Sequence, residues 1–270
     1  MKKYTIFVSV KKISTNKVGL GTWNIKSDLL AETIPKAVKI GYRHFDTARK
    51  YSNEEGVGQG IKHGGLDRKE LFVTTKLWVT DFLRAGSAFE ASLQRLGLEY
   101  VDLYLIHWPF PFWTRAWVAL ENIFESGRAK QIGVSNFGIK ELELIKKRYK
   151  FFPVVNQIEF SPFYYKKDLL DYCQANNITV EAYSPLTRGY RIDDPKIKKI
   201  ADKYNKSVHQ IMLAWSLAHG LTVLPKTTNE QHLQDNWNAQ FINLTEADMS
   251  YLDSLNENYS ALTTFWNRRK

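Results

Sequence analysis

Eight short apolar stretches recur along the chain, and each of them stops abruptly at a polar residue. The stretches span residues 17–23, 42–48, 71–78, 101–108, 129–137, 154–160, 179–185 and 221–227. Most of them are continuously apolar rather than alternating between apolar and polar positions, which is typical of strands that are covered on both faces of a sheet. We therefore predict eight buried strands.

Stretches with a helical spacing of apolar positions lie between these strands. They span residues 29–41, 54–65, 86–97, 115–127, 139–149, 166–177, 208–220 and 229–240. Several of them end at Gly or Asn, which tolerate the left-handed conformation at a helix C-terminus. Strands that alternate eight times with single helices predict a (β/α)8 TIM barrel of the α/β class. A doubly wound sheet would need a reversal of strand order, and the sequence contains no sign of one.

Both the regularity of this alternation and the N-terminus bear on domain organisation. No linker or low-complexity tract interrupts the chain, so we expect residues 1–270 to form one barrel domain.

The start, "MKKYTIFVSVKK", is basic and apolar like a signal peptide, but its apolar run is short, carries hydroxyl groups and lacks a small-residue cleavage site. We predict a β-strand there, one half of a hairpin that closes with "KISTNKVGLG" and precedes the barrel.

Cysteine content and hydropathy indicate the compartment. The single cysteine, Cys173, forms no intramolecular disulfide, which fits a reducing environment. No apolar run is long enough to cross a bilayer. We expect a cytoplasmic protein that does not bind membranes.

The formal net charge of +10 raises nucleic acid as a partner. The lysines are spread along the chain, and the densest stretch, residues 195–206, places Ile197, Ile200, Ala201 and Tyr204 at helical spacing. The lysines of this stretch then fall on the opposite, solvated face of a helix. We expect no nucleic-acid partner.

Polar residues capable of chemistry stand at the ends of the predicted strands. They are Thr22, Asp46, Lys76, His107, Ser135, Asn136, Asn156, Gln157, Tyr183, Ser184 and Lys226, with Trp23 beside the first and Tyr51 five residues after Asp46. The active site of such a barrel lies at the C-terminal ends of its strands. Each residue has an ordinary alternative: Asp46 as a helix cap, Lys76 as a solvated loop residue, His107 as a buried histidine satisfied by backbone, and Tyr51 as loop packing. Their joint occurrence at one rim favours a catalytic site.

The chemistry of these residue types suits proton transfer to a carbonyl oxygen. A phenol has a pKa of about 10, and a neighbouring ammonium lowers that pKa by stabilising the phenolate. An aspartate holds the ammonium in place, and a neutral imidazole orients the carbonyl oxygen. No side chain is an obvious nucleophile, so a hydride from a nicotinamide cofactor would complete the reaction.

The sequence also resembles the aldo-keto reductases over essentially its whole length. The matching motifs are "GLGTW", "YRHFDTA", "NEEGVGQGI", "TTKLW", "LIHWP", "IGVSNF", "VNQIE", "AYSPL" and "LPKT", in the family's order. The resemblance is strongest to compact bacterial members that reduce diketo-gluconates and methylglyoxal. It implies an NAD(P)H-dependent oxidoreductase that reduces aldehydes and ketones to alcohols. Tyr51 would be the general acid, Lys76 the group that lowers its pKa, Asp46 the anchor of Lys76, and His107 the group that orients the carbonyl.

The same resemblance implies the residues that hold the cofactor, NADPH. Ser135, Asn136 and Gln157 would hold the nicotinamide carboxamide, because together they offer donors and acceptors. Tyr183 would stack on the nicotinamide ring. The other implied contacts are Gly21, Thr22, Trp23, Ser184 and Leu186 beside the same cavity, Lys226 and Thr227 at the 2′-phosphate, and Asp235 and Asn236 at the adenine.

One cofactor position departs from the family pattern. His232 stands where the family commonly has Arg. An arginine offers a permanent charge and a bidentate fork to phosphate, whereas a histidine is largely neutral at cytosolic pH. We therefore expect the preference for NADPH to be weakened and NADH to be used appreciably.

An aromatic wall and short loops characterise the substrate side. The expected wall consists of Trp23, Trp78, Trp108 and Phe110 beside His107, with Trp113 as a further candidate. The segment between the fourth strand and its helix and the C-terminal tail are both short for the family, so we expect an open pocket for a small carbonyl compound. By resemblance the protein is expected to be a monomer.

The glycine run in "NEEGVGQGI" raises a competing interpretation as a phosphate loop. A dinucleotide fingerprint needs a strand directly before its glycines, and here a polar segment and two glutamates, Glu54 and Glu55, precede them. We interpret Gly56, Gly58 and Gly60 as small residues that permit close helix packing. As a competing function we keep a cofactor-binding regulatory subunit with little turnover, against which the intact catalytic set argues.

Overall fold

The computed structural model describes residues 17–267, which form an eight-stranded parallel barrel. The strands β1 to β8 are Leu20–Gly21, His44–Asp46, Phe72–Leu77, Leu103–Ile106, Ile132–Ser135, Val155–Glu159, Thr179–Tyr183 and Thr222–Leu224. They pair in sequence order. A parallel bridge between Val18, two residues before β1, and Val223 of β8 brings the two ends of the sheet together, and the Gly21 amide donates to the Pro225 oxygen at 3.0 Å. The predicted (β/α)8 fold is confirmed.

The described residues also form eleven α-helices. Helices α1 to α11 are Ser27–Ile40, Glu54–His63, Ala85–Leu96, Trp113–Glu125, Ile139–Arg148, Lys167–Ala175, Pro195–Tyr204, Val208–Ala218, Glu230–Asn238, Glu246–Asp253 and Ala261–Asn267. Each of the eight predicted helices is present. Two helices, α7 and α8, follow β7, because Asp194 and Ser207 each cap a separate helix start. The helices α10 and α11 after the last repeat were not predicted.

The lysine-rich segment forms α7, whose buried residues are Ile197, Ile200 and Ala201. These three side chains join the main apolar core between barrel and helices. Lysines such as Lys198 and Lys199 are exposed on the other face. The amphipathic pattern predicted for this helix is confirmed.

The glycines of α2 lie where other helices approach most closely. A Cβ atom on Gly56 would lie 2.3 Å from the Ser27 oxygen, and one on Gly58 would lie 2.1 Å from the Leu96 oxygen. A Cβ on Gly60 would lie 2.7 Å from Ile34 Cβ and 2.9 Å from the Leu30 oxygen. Real Cβ atoms do not come this close to backbone oxygens, so these positions require glycine for packing, as predicted.

The predicted N-terminal hairpin spans residues 1–21, and its residues 1–16 lie outside the described residues. Within residues 17–267, no helix has both the length and the apolar character that a bilayer crossing requires.

Candidate active site

A cavity of about 1350 Å³ opens at the C-terminal ends of the strands. The segments that follow seven of the eight strands contribute to its lining, and β6 contributes Gln157 from the strand itself. A pocket for one small ligand typically measures about 300–1000 Å³. This cavity therefore has room for a cofactor and a small substrate side by side.

The residues predicted from sequence converge on this cavity. The cofactor set in its lining is Gly21, Thr22, Trp23, Ser135, Asn136, Gln157, Tyr183, Ser184, Leu186, Lys226, Thr227, His232, Asp235 and Asn236. The substrate set in its lining is Trp23, Trp78, His107, Trp108 and Phe110. Asp46 and Tyr51 also line it, and Lys76 is fully buried in contact with both.

Two residues singled out in the sequence lie apart from the cavity lining. Trp113 is buried at the start of α4, where its ring packs edge-on against Phe137 with 5.0 Å between centroids. Asn156 points to the helical layer and exchanges hydrogen bonds with the backbone of Phe137. Successive residues of a strand face opposite sides, so Gln157 faces the barrel interior and Asn156 does not.

Lys76 connects the two acidic groups of the site. Its ammonium nitrogen lies 2.6 Å from Asp46 Oδ1, 2.9 Å from the backbone oxygen of Thr47 and 3.4 Å from the hydroxyl oxygen of Tyr51. The neighbouring strands β2 and β3 carry Asp46 and Lys76, and a short 3-10 helix, Arg49–Tyr51, brings the phenol back over them. Lys76 is therefore no solvated loop residue, and Asp46 binds the ammonium instead of capping a helix.

Burial is the largest influence on the pKa of both Lys76 and Tyr51. Burial alone would lower the pKa of Lys76, but the charge of Asp46 and the interactions with Tyr51 hold that pKa above its usual value. Burial raises the pKa of Tyr51, and the opposing charge of Lys76 does not outweigh it. Lys76 lowers the pKa of Tyr51 as predicted, but burial outweighs this contribution and the net pKa lies above its usual value. Desolvation of the phenolate dominates, and the phenol keeps its proton.

His107 follows β4 and faces the same phenol. Its ring lies edge-on to Tyr51 and Trp78, with centroid distances of 5.7 and 5.1 Å. Burial, and next the positive charge of Lys76, hold the pKa of His107 well below its usual value, so the imidazole is neutral. Among residues 17–267 no group hydrogen-bonds to its buried Nδ1. His107 is therefore not a core histidine satisfied by backbone.

Gln157 has both amide hydrogens committed inside the barrel. Its nitrogen Nε2 donates to Asp46 Oδ2 and to Glu181 Oε2, each at 2.8 Å. The polar atom that Gln157 can still offer to the cavity is its carbonyl oxygen.

The side-chain donors of Ser135 and Asn136 are also used in hydrogen bonds within the protein. The Asn136 nitrogen Nδ2 donates to the backbone oxygen of His107 at 3.1 Å and to Ser135 Oγ at 3.0 Å, and that hydroxyl donates to the backbone oxygen of Gln157 at 2.8 Å. The Tyr183 hydroxyl donates to Asn136 Oδ1 at 2.8 Å. The trio was predicted to offer the cofactor both donors and acceptors, but its side-chain donors are used in hydrogen bonds within the protein. Acceptor oxygens remain, and they suit the NH₂ group of a carboxamide.

Backbone conformation helps to present Asn136. Its φ of 67° lies in the left-handed region, which asparagine tolerates better than most residues. This conformation at the end of β5 turns the side chain into the network with Tyr183 and His107.

The far end of the cavity is polar and lies after β8. Lys226 and Thr227 stand there, and Asn229 Oδ1 caps α9 by accepting from the backbone amide of His232 at 3.0 Å. The His232 ring is nearly parallel to that of His209, at 6.5 Å between centroids and 18°. A cation, a hydroxyl and the start of a helix form an environment that favours phosphate.

Sequence reasoning missed several cavity residues. The guanidinium of Arg188 lies 4.3 Å from the Trp23 ring centroid, and Lys50 Nζ lies 5.2 Å from that of Trp78. Lys50 directly precedes Tyr51 and Arg188 follows the "AYSPL" motif, so adjacency to a motif was the available signal. His209 had no such signal, because it reaches the cavity from α8.

The loops on the substrate side are short. Six residues, 107–112, join β4 to α4, and Phe110 and Phe112 are largely exposed on them. Leu262 of α11 also lines the cavity. The mouth is therefore bordered by a brief loop and by the C-terminal helix.

Comparisons with known proteins agree with this geometry. The sequence profile described as the aldo/keto reductase family matches residues 15–257. The chain is 44% identical to glyoxal reductase from Bacillus subtilis (strain 168) over 243 residues, covering 88% of each chain. It is 37% identical to methylglyoxal reductase DkgA from Escherichia coli (strain K12) over 246 residues, covering 89% of this chain and 90% of that protein.

Solved structures give the same result. An aldo-keto reductase from Bombyx mori in complex with NADP superposes with a TM-score of 0.84 at 36% identity, over 90% of each chain. Profile, relatives and structure all cover nearly the whole described barrel. The chain therefore belongs to the aldo/keto reductase family, and it is a nicotinamide-dependent oxidoreductase that reduces carbonyl groups.

Proposed function

We propose that this protein reduces small aldehydes and 2-oxoaldehydes, of the glyoxal and methylglyoxal kind, with NADPH, and that Tyr51 donates the proton. The observation that carries the proposal is the buried Lys76 ammonium, which contacts Asp46 on one side and Tyr51 on the other at the cavity wall. The names of the relatives from B. subtilis and E. coli support this substrate class.

The protein's own groups act on the carbonyl oxygen. The Tyr51 hydroxyl and the neutral imidazole of His107 face the same space, and both can donate a hydrogen bond to that oxygen. A bound reduced nicotinamide supplies the hydride to the carbonyl carbon. As negative charge develops on the oxygen, Tyr51 gives up its proton, and Lys76 stabilises the phenolate that remains. Asp46 keeps Lys76 charged and in place.

The residues present fit a nicotinamide dinucleotide. The acceptor oxygens of Ser135, Asn136 and Gln157 would hold the carboxamide, and Tyr183 would cover the ring. At the other end, Lys226 and Thr227 would hold the 2′-phosphate, and Asp235 and Asn236 the adenine. The NADP-bound relative from B. mori supports NADP(H) as the cofactor.

Cofactor preference rests on the histidines at the phosphate end. His232 lines the cavity where the family commonly has Arg, and His209 lies beside it. An imidazole offers phosphate neither the permanent charge nor the bidentate fork of a guanidinium. NADPH is then favoured less strongly than usual, and NADH is an appreciable alternative.

The substrate mouth combines aromatic rings with cations. Trp23 and Trp78 each carry a cation near the ring, Arg188 and Lys50 respectively. The short 107–112 loop leaves this mouth open. Small polar carbonyl compounds fit it better than large apolar ones.

The test is a turnover assay with methylglyoxal, glyoxal and glyoxylate, followed by nicotinamide absorbance with NADPH and with NADH. Tyr51→Phe should lower kcat/KM by about 10²–10⁴-fold. Tyr172→Phe, which removes a hydroxyl that binds Glu143 on the outer helices, should leave it unchanged. Tight NADPH binding without turnover would support the regulatory subunit instead.

We propose one domain over residues 1–270 and a monomer in the cytoplasm. A single unfolding transition, the mass from light scattering and fractionation of cells would test these three points in turn.

A further inference from the structure

Glu181 is a buried carboxyl group with no assigned role in the reduction. It lies on β7 inside the barrel with no exposed surface. Its Oε2 accepts from Gln157 Nε2 at 2.8 Å, and the same nitrogen donates to Asp46 Oδ2 at 2.8 Å. One amide group therefore ties Glu181 to the carboxylate that anchors Lys76.

The groups around Glu181 come from several strands. Asp46 and His44 face it from β2, Lys76 from β3 and Gln157 from β6, with His44 Nε2 4.0 Å from Oε1. Oε1 is buried and has no hydrogen-bond partner among the residues described. Burial, followed by Lys76, lowers the pKa of His44 to about 3, so this neighbour brings no charge. Lys76 is the positively charged side chain among these neighbours, and its Nζ lies 2.6 Å from Asp46 Oδ1.

We propose that Glu181 is a positioning residue for the reduction, which acts through the Gln157 amide on the Asp46–Lys76–Tyr51 chain and gives the reaction a response to pH near neutrality. It holds the two amide hydrogens of Gln157 toward the carboxylates, so that the carbonyl oxygen of Gln157 is presented to the cavity. When Glu181 is ionised, its negative charge acts on Lys76 and Tyr51. The inference rests on the proposed roles of Tyr51 and Lys76.

The direction of the pH effect follows from charge. Burial, and next the charge of Asp46, raise the pKa of Glu181 to about 7. Below that pH Glu181 is protonated and uncharged, and the negative charge of Asp46 balances the positive charge of Lys76. Above it, a second negative charge makes the phenolate form of Tyr51 less favourable, as Asp46 already does. Tyr51 then becomes a weaker acid, and reduction slows as the pH rises.

The first experiment compares pH profiles of kcat/KM for methylglyoxal reduction. The wild-type protein should lose at least about threefold in kcat/KM between pH 6 and pH 8. Glu181→Gln keeps a hydrogen-bond acceptor for Gln157 but cannot ionise, so its profile should be flat in that range. Glu121→Gln, a buried acid on α4 that accepts from the backbone amides of Lys150 and Phe151, should keep the wild-type profile. Parallel profiles for wild type and Glu181→Gln would overturn the proposal.

A second measurement does not depend on turnover. Infrared difference spectra of the wild-type protein should show a protonated carboxyl band that disappears as the pH rises through about 7. Absence of a carboxyl group titrating there would overturn the proposal even if Glu181→Gln failed to fold. Full activity in Tyr51→Phe would refute the proposed function instead, so the two failures are distinguishable.

Discussion

The ammonium nitrogen of Lys76 lies 3.4 Å from the hydroxyl oxygen of Tyr51, in an environment that excludes water from the lysine. The contact opposes, without cancelling, the effect of burial on the pKa of Tyr51. Tyr51 therefore remains protonated before the reaction begins. Stabilisation by Lys76 has its greatest effect when the proton leaves, which is what transition-state stabilisation requires.

Asp46→Asn should destabilise the protein and lower activity. The substitution leaves the Lys76 ammonium buried without its counterion, and such a loss costs about 3–5 kcal/mol in free energy of unfolding. Urea unfolding at pH 7 measures it. The control Asp67→Asn removes a surface partner of Lys69 whose side chain is 70% exposed, and it should change stability by less than about 1 kcal/mol. Equal effects of the two substitutions would contradict the buried ion pair.

Glu181→Gln should be more stable than wild type at alkaline pH. The folded pKa of about 7 lies above the ordinary 4.5, so the contribution of Glu181 to stability is full below pH 4.5 and is lost as the pH rises from there through 7. The wild-type protein should lose on the order of 3 kcal/mol over this window relative to the variant. Denaturant unfolding of both proteins at pH 4.5, 6 and 8 checks this. A constant difference across the three pH values would show that Glu181 does not titrate there.

His232→Arg should strengthen the preference for NADPH. A guanidinium adds a permanent charge and a bidentate fork where the cavity now has an imidazole. Hydrogen bonds to charged groups contribute about 1.5–3 kcal/mol, so the NADPH-to-NADH ratio of kcat/KM should rise about tenfold or more. Gln231→Arg adds the same charge to the same helix outside the cavity lining and should change the ratio much less. Similar changes in both variants would indicate long-range attraction alone.

Gly58→Ala should destabilise the barrel although alanine favours helices. The added methyl group would lie 2.1 Å from the Leu96 oxygen, a backbone atom that cannot move aside cheaply, and overpacking of this kind costs about 1–3 kcal/mol. Gly86→Ala in α3 is the matched control, because a Cβ there meets nothing within 4 Å. It should be neutral or stabilise by about 0.4–1 kcal/mol. Thermal unfolding of the two variants distinguishes them.

The sequence by itself determined the architecture and most of the candidate site. Continuous apolar strands alternating with amphipathic helices allow few folds other than a parallel barrel, and in that fold the strand ends meet at one rim. Asp46, Lys76 and His107 could be placed together because each ends a strand. Gly58 could be interpreted as a packing residue because a polar segment with Glu54 and Glu55, and no strand, directly precedes the glycines, which argues against a phosphate-binding loop.

Only the tertiary structure decided the balance of forces at the site. The sign of the Tyr51 pKa shift depends on how fully the barrel excludes water, which no motif records. The loss of free donors on Gln157 depends on Glu181, a residue of the next strand that was not singled out from the sequence. His209 and Arg188 reach the cavity from a helix and a loop distant in sequence from the residues they approach. The hydrophobic pattern of the sequence indicates which face of a strand or helix a residue occupies. The pKa and the hydrogen bonds of a buried side chain depend on all the groups around it, and only the folded chain brings those groups together.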